Sequence, residues 1–279
     1  MTVPLPILRL ESVSKHFGGL SVVENLTFSV RRGSRTGLIG PNGAGKTTVY
    51  NLITGVYPVD AGRIYLDAVD ITDVPSRRRI RHGIARSFQN VRLMKHLSAL
   101  ENVLVGQHSR NGGPFGVLQP VSLSDRNRWR EEARAALAAV GLDKYERATV
   151  GSLPYGVQKR IELVRALMAH PRLLLLDEPA AGLNPAETEA LHLHLDQICR
   201  SGDITLLVVE HDMQFVGALC EELVVISFGR KIAEGTPEEV RQNSLVQQVY
   251  LGMPTPERLP EPEERRAPAL VAAGVSRAS

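Results

Sequence analysis

The chain has 279 residues, of which 43% are hydrophobic and 23% charged, a composition typical of a globular protein with one generous domain or two small ones. A formal net charge of +3 is too small to indicate nucleic acid as a partner by itself. The longest apolar runs, LLLL and LLVV, fall far below the roughly 18 residues that span a bilayer, so any membrane role is predicted to come through a partner.

Short strands are predicted throughout the first part of the chain. Residues 7–13 (ILRLESV) alternate apolar and polar side chains, residues 26–34 resemble a strand that enters a turn, and residues 62–72 predict a strand pair. Residues 35–40 (RTGLIG) form a short apolar strand, and residues 46–55 have helical spacing closed by Gly55. The basic run SRRRIRHGIAR (76–86) is predicted to be a solvated helix face, with a contact to anionic lipid or RNA as the alternative.

Helical periodicity then replaces the strand pattern. Residues 98–106 and 125–142 predict two helices of a helical subdomain inserted into the α/β part. Further strands follow in RLLLLD (172–177), ITLLVVE (204–210) and ELVVIS (222–227), with helices over 185–200 and from Asp212. Apolar runs this continuous predict a mostly parallel sheet covered on both faces. The last residues, 253–279, are rich in Pro, Glu, Arg and Ala, which predicts a disordered tail.

A phosphate-binding loop is predicted where GPNGAGKT (40–47) fits the pattern G-x-x-x-x-G-K-S/T between a strand and a helix. The glycines let the backbone curl so that successive N–H groups point at one anion, Lys46 adds charge for the outer phosphates, and Thr47 offers a hydroxyl to Mg²⁺. A glycine-rich turn without a nucleotide is the alternative. The residues predicted to bind the nucleotide here are Gly40, Pro41, Asn42, Gly43, Ala44, Gly45, Lys46, Thr47 and Thr48.

A pair of acids follows the apolar strand in LLLLDEP (173–179). Asp177 is predicted to hold the Mg²⁺ shell, and Glu178 to orient and deprotonate an attacking water. Two adjacent acids on a strand point to opposite sides, which favours separate roles, and a solvated acidic turn is the alternative. The two motifs together predict a P-loop NTPase and leave GTPase, kinase and transport ATPase open.

A family resemblance narrows the class. LPYGVQKRIELVRAL (153–167) precedes LLLLDEPAAGLNP (173–185), and LLVVEHDM (206–213) follows. In that order the motifs resemble the ATP-hydrolysing subunit of an ABC transporter, over residues 7–252. The resemblance implies an α/β P-loop NTPase core with a mostly parallel sheet, an N-terminal antiparallel β part and an inserted α-helical subdomain at about residues 91–165. It also implies two ATPase subunits, identical or similar, that sandwich two ATP molecules with Mg²⁺ at the cytoplasmic face of the membrane. Their partners are transmembrane permease subunits and, indirectly, a solute-binding protein, with no nucleic acid.

Further site residues follow from the resemblance. Phe17 matches the aromatic residue that stacks on adenine, with a core phenylalanine as the alternative. Gln89 matches the glutamine that reaches Mg²⁺ and the attacking water while sensing the membrane subunit. His211 matches the histidine that contacts the γ-phosphate, with a packed surface histidine as the alternative. Tyr155 and Gly156 match the signature residues that face the nucleotide of the second subunit.

The chain departs from the family pattern at three positions. Pro154 replaces a serine, Val157 replaces a polar residue and Asn184 replaces an aspartate. We predict Pro154 in the first turn of a helix, where a proline is tolerated, at the cost of one hydrogen bond to a charged group, about 1.5–3 kcal/mol.

These departures, with GRKIAEGTPEEVRQNSLVQQVYLG (229–252), resemble the branched-chain amino-acid importer ATPases of the Liv type. Urea and amide importer ATPases and the lipopolysaccharide-export ATPase are the nearest alternatives. A soluble ABC ATPase of DNA repair or translation is a further one, although such proteins usually carry two ATPase halves or a long coiled coil. A P-loop kinase or GTPase is the last, and it would not need the LPYG motif or His211.

Overall fold

The computed structural model describes residues 5–87, 91–107, 123–200 and 204–250. An antiparallel sheet comes first, in the order β2-β1-β4-β5. It comprises β1 (Leu8–Phe17), β2 (Leu20–Val30), β4 (Ala61–Leu66) and β5 (Val69–Asp70). Leu8 and Leu10 of β1 are buried while the intervening Arg9 is exposed, because alternate side chains of a strand point to opposite faces.

A second sheet of six strands has the order β10-β9-β3-β8-β7-β6. Its members are β3 (Arg35–Ile39), β6 (Ile84–Arg86), β7 (Leu173–Asp177), β8 (Thr205–Val209), β9 (Glu222–Ser227) and β10 (Arg230–Gly235). Five strands are parallel and only β10, at one edge, is antiparallel. The predicted mostly parallel sheet is confirmed. The carboxyl ends of its parallel strands meet along one edge, which is where α/β proteins bind ligands.

The described residues also form helices. They are α1 (Lys46–Ile53), α2 (Ser76–Arg79), α3 (Ala99–Gln107), α4 (Leu123–Ala139), α5 (Tyr155–Leu167), α6 (Pro185–Arg200), α7 (Met213–Leu219), α8 (Pro237–Gln242) and α9 (Ser244–Tyr250). Leu173 and Leu175 pack with the antiparallel sheet and α1, whereas Leu174 and Leu176 pack on the opposite face with α6 and α7. Both faces of β7 are therefore buried, which explains its unbroken run of leucines.

A separate apolar cluster joins α3, α4 and α5 through Val103, Leu137 and Ile161. Apart from Met168, it lies within residues 91–165, the range predicted for the helical subdomain. The bounds of that subdomain and of the domain at 7–252 stay predictions. The predicted tail, 253–279, lies outside the described residues. Among the residues that are described, no helix is both long and apolar enough to cross a membrane.

The basic run at residues 76–86 is not simply a solvated helix face, and that prediction was wrong for two of its arginines. Arg77 and Arg78 are exposed, but Arg79 is only 3% exposed. Its guanidinium donates hydrogen bonds to the carbonyls of Leu52, Ile53, Thr72 and Val74. Two of these carbonyls end α1, where a cation is favoured by the helix dipole. The side chain of Arg86 is 9% exposed and lies beside Asp177.

Candidate active site

The loop of residues 40–47 leaves the end of β3 and leads into α1. Gly45 caps α1 with a φ of 99°, a left-handed conformation that favours glycine. A Cβ at Gly45 would lie 2.8 Å from the Val22 carbonyl oxygen, and a Cβ at Gly40 would overlap the carbonyl of Ile226. Neighbouring backbone thus requires glycine at both ends of the loop. The loop wraps the N-terminus of α1, where N–H groups and the helix dipole favour an anion.

Lys46 lies inside this loop. Its Nζ donates hydrogen bonds to the carbonyl oxygens of Gly40, at 2.7 Å, and Pro41, at 2.9 Å. Burial lowers the pKa of the Lys46 ammonium, and the nearby charges of Glu178 and Asp177 oppose that shift. The cation of the loop and the two acids at the end of β7 are therefore close enough to interact electrostatically, as the sequence predicted for one site.

Asp177 and Glu178 are adjacent but have different surroundings. Asp177 ends β7 and is 5% exposed, and its Oδ2 accepts a hydrogen bond of 2.5 Å from Arg86 Nη2. Glu178 is half-buried and has a φ of 46°, an uncommon conformation outside glycine. Its backbone N–H donates to the Val209 carbonyl at 2.8 Å, which fixes the turn after the strand. The two acids are thus in a position to do different chemistry.

The oxygens available suit Mg²⁺. Thr47, in the first turn of α1, offers a hydroxyl, and Asp177 offers a carboxylate, both hard oxygen donors. Within the described ranges, no group of three or more His, Cys, Asp or Glu side chains converges on one point. Mg²⁺ often takes only one or two protein oxygens and completes its shell with substrate phosphates and water. The residues present therefore fit a substrate-bound Mg²⁺ rather than a metal held by the protein alone.

Residues 210–212 form a turn at the end of β8, the strand next to β7. Glu210 is 1% exposed and accepts hydrogen bonds from the backbone N–H groups of Ala180, at 2.9 Å, and His211, at 3.1 Å. The His211 ring points outward with 60% of its side chain exposed. Asp212 caps α7 by accepting hydrogen bonds from the N–H groups of Gln214 and Phe215. Glu210 thus holds both the His211 turn and the loop that follows Glu178.

Pro154 lies just before helix α5 and not in its first turn, where the sequence predicted it. Pro154 is the N-cap rather than a first-turn residue, because its ψ of 149° is extended and its carbonyl accepts the first helical hydrogen bond from Gln158. The N–H that Pro154 lacks is therefore the N–H of the N-cap residue itself. The N–H groups of Gly156 and Val157 have no acceptor within the helix and remain at its positive end.

Tyr155 and Gly156 contact the loop that follows Glu178. The Tyr155 ring packs on Gly182, where a Cβ would lie 3.1 Å from it. A Cβ at Gly156 would overlap the carboxylate of Glu187, so the Glu187 side chain would have to move to admit any other residue there. Asn184 and Glu187 form reciprocal side chain to backbone hydrogen bonds of 3.0 Å at the start of α6. Asn184 thus serves as a helix cap, as an aspartate would.

Phe17 and Gln89 are the remaining predicted site residues. Phe17 ends β1 in the antiparallel sheet, where its ring meets Tyr57 edge to face at 5.1 Å and Lys15 Nζ lies 5.4 Å from its centroid. Phe17 is 42% exposed, so it is accessible to a ligand and is not a core phenylalanine. Gln89 lies outside the described residues.

Sequence reasoning missed four residues that the structure brings to this region. Arg86 was missed because it lies in the basic run at residues 76–86, which was predicted to be a solvated helix face. Lys159 is 7% exposed and donates to the carbonyls of Glu178, at 2.8 Å, and Pro179, at 3.2 Å. Tyr250, in α9, has a hydroxyl within hydrogen-bonding reach of the Gly40 backbone, and burial raises its pKa to about 12. Only Glu210 had a usable signal, an acid directly after a buried strand.

Comparisons with known proteins agree with this geometry. The family model for "ABC transporter" matches residues 23–181, and that for "Branched-chain amino acid ATP-binding cassette transporter" matches residues 230–252. The chain is 41% identical over 250 residues to the high-affinity branched-chain amino acid transport ATP-binding protein BraF of Pseudomonas aeruginosa, covering 88% of this chain and 98% of that protein. The corresponding protein LivG of Escherichia coli is 38% identical over 253 residues, with the same shares of the two chains.

A solved structure also matches. The ADP conformation of an ATP-binding cassette of an ABC transporter superposes with a TM-score of 0.79 at 32% identity, covering 89% of this chain and 99% of that one. Sequence and fold thus agree over nearly the whole length of the known proteins. The chain therefore belongs to the ABC transporter family, in the same group of ATPase subunits as these branched-chain amino acid transport ATP-binding proteins.

Proposed function

We propose that this chain is the ATPase subunit, at the cytoplasmic face of the membrane, that powers import of branched-chain or related amino acids by transmembrane permease subunits. The observation that carries the ATPase part is the meeting of the residue 40–47 loop with Asp177 and Glu178 at one edge of the parallel sheet. The names of the relatives and the match at residues 230–252 support the solute class.

The roles proposed for the site residues combine their surroundings with the family resemblance. The loop N–H groups and Lys46 bind the phosphates of ATP, and Phe17 stacks on the adenine with its exposed ring face. Thr47 and Asp177 hold Mg²⁺, with Gln89 as a further ligand; bound Mg²⁺ neutralises charge on the transferring phosphate. Glu178 orients and deprotonates the attacking water, and the outward ring of His211 contacts the γ-phosphate.

Tyr155 and Gly156 act on the nucleotide of a second ATPase subunit. The positive end of α5 and the Gly156 N–H face that γ-phosphate, while Pro154 leaves one donor fewer than the usual serine. Two such subunits, identical or similar, clamp two ATP molecules head to tail. Because the Glu187 carboxylate lies against Gly156 and the Tyr155 ring packs on Gly182, the loop after Glu178 takes part in the clamp.

A groove beside the site supports the proposal that a membrane subunit binds this chain. Its volume is about 300 Å³, and the C-terminal ends of α1, α3 and α5 together with α2 and β6 line it. Three apolar side chains on its wall are exposed, Val56, Ile80 and Val105. A short helix from a permease subunit fits such a groove, in the manner of helix-in-groove recognition. Arg86 lines the groove and lies three residues before Gln89 in the chain.

Co-purification and reconstitution test the proposal. The chain is co-expressed with the membrane proteins encoded beside it, purified, and placed in lipid vesicles with the cognate solute-binding protein. We expect leucine, isoleucine or valine to stimulate ATP hydrolysis, and the Glu178→Gln complex to assemble without hydrolysing ATP. If only urea or an amide, or only lipopolysaccharide, stimulated ATP hydrolysis, that compound would replace branched-chain amino acids as the assigned solute. Failure of any membrane protein to co-purify would refute the transport role and favour a soluble ABC ATPase.

The groove has its own test. A cysteine at Val105, in the groove, is expected to crosslink to a permease subunit in the assembled complex. A cysteine at Leu193, which is exposed on α6, serves as the matched control and should not crosslink. Crosslinking at Leu193 but not at Val105 would show that the membrane partner docks elsewhere.

A further inference from the structure

Arg86 joins three parts of the site through one side chain. It is the last residue of β6, and its side chain is only 9% exposed. One terminal nitrogen, Nη2, donates to Asp177 Oδ2 at 2.5 Å, and the other, Nη1, donates to Asn51 Oδ1 at 2.7 Å. Asn51 lies on α1, the helix that follows the phosphate loop. The guanidinium therefore ties the strand-end acid to the helix that carries Lys46 and Thr47.

The surroundings leave this guanidinium little freedom. Its central carbon lies 5.4 Å from the centroid of the Tyr50 ring, which is wholly buried. The Tyr50 hydroxyl donates to the carbonyls of Leu207, at 2.5 Å, and Leu176, at 3.1 Å, so the ring is itself anchored to β8 and β7. A planar fork held over an anchored ring offers its two nitrogens in one fixed geometry, which a lysine cannot reproduce.

The contact with Asp177 uses one of its two carboxylate oxygens. Arg86 binds Oδ2, and Oδ1 is left as the oxygen that a cation can approach. Carboxylates that hold metals are commonly oriented by an outer group of this kind, and loss of such a group typically costs 10–100-fold in metal affinity or activity. The buried guanidinium also balances the charge of Asp177, which is 7% exposed at its side chain.

We propose that Arg86 is a positioning residue for Mg²⁺: it fixes the Asp177 carboxylate against α1 so that Oδ1 and the Thr47 hydroxyl face the same cation. The proposal rests on the proposed role of Asp177. In this role Arg86 acts through its contacts with Asp177 and Asn51. Of the arginines in the run at residues 76–86, it is the one that contacts an acid of the site.

Binding of a non-hydrolysable ATP analogue, measured as a function of Mg²⁺ concentration by the rise in unfolding temperature, tests this without turnover. For Arg86→Met we expect the Mg²⁺ concentration at half-effect to rise about tenfold or more, with analogue binding in EDTA changed less than about twofold. Arg86→Lys and Asn51→Ala, which each keep part of the network, should shift it by less, in the same direction. If Arg86→Met does not fold, these two variants are measured in its place.

Arg79→Met is the matched control. Arg79 is more deeply buried than Arg86, and the hydrogen bonds of its guanidinium in the described structure go to backbone carbonyls, so its loss should lower the unfolding temperature and leave the Mg²⁺ midpoint unchanged. An unchanged or lower Mg²⁺ midpoint in the folded Arg86 variants would overturn the proposal. A wild-type protein whose analogue binding ignores Mg²⁺ would instead contradict the metal role of Asp177, so the two failures are distinguishable.

Discussion

Glu210 provides the sharpest test of how the hydrolytic loop is held. Its buried carboxylate accepts two backbone hydrogen bonds, from Ala180 and His211, and the Lys159 ammonium lies close enough to interact with it. In Glu210→Gln the amide oxygen can accept only one of these two hydrogen bonds, and the NH₂ group faces the other backbone N–H. A buried donor left unsatisfied costs about 1–3 kcal/mol, and loss of the charge weakens the remaining bond. We expect a loss of about 2–4 kcal/mol in the free energy of unfolding.

The effect on catalysis should be confined to turnover. Ala180 lies two residues after Glu178, so loosening its N–H shifts the catalytic loop, whereas the phosphate loop is held separately by β3 and β9. We expect kcat to fall roughly tenfold, equivalent to about 1.4 kcal/mol in the barrier, with KM for ATP within twofold.

Urea unfolding and steady-state ATP hydrolysis measure the two effects. Glu238→Gln is the control, because Glu238 is an exposed residue of α8 that pairs only with surface groups in the structure, and its change should stay within about 0.5 kcal/mol. The assigned role of Glu210 is wrong if its variant unfolds like the control and hydrolyses ATP at the wild-type rate.

Three further predictions concern the proposed roles. Glu178→Gln should keep ATP binding, accumulate an ATP-bound dimer on size exclusion and lose turnover by about 10²–10⁴-fold, and retained turnover would remove Glu178 as the base. Lys46→Ala should weaken ATP binding about 10–100-fold by calorimetry, since it removes a buried charge from the phosphate loop; unchanged affinity would exclude Lys46 from the site. Pro154→Ser should keep the hydrolysis rate or raise it, by an amount worth at most about 1.5–3 kcal/mol, because it restores a donor at the start of α5. A collapse in that rate would mean that the proline has a positive role.

The parts predicted well from the sequence are those fixed by local rules. The parallel strands were predictable because strands buried on both faces must be apolar along their whole length, as β7 and β8 are. The phosphate loop was predictable because backbone crowding at Gly40 and Gly45 permits no other residue, which leaves a pattern in the sequence.

The parts that were missed depend on contacts between distant segments. Arg86 and Asp177 are 91 residues apart and pair because β6 lies beside β7 in the sheet, which no local pattern reveals. In the sequence, nothing distinguishes Arg86 from the exposed Arg77 and Arg78 of the same basic run. The position of Pro154 was misjudged by one residue because a proline fits both the N-cap and the first turn of a helix, and only the backbone angles separate the two.

The same contacts link the two halves of the proposed clamp within one subunit. Lys159 of α5 bonds to the carbonyls of Glu178 and Pro179, and Tyr155 packs on Gly182 further along the same loop. Packed, hydrogen-bonded groups of this kind move as a unit rather than deform gradually. In the proposed dimer, α5 faces the nucleotide of the other subunit while Glu178 faces the subunit's own. We therefore expect a displacement of α5, when the other site binds or releases phosphate, to reach Glu178 through Lys159 and so to couple the two sites.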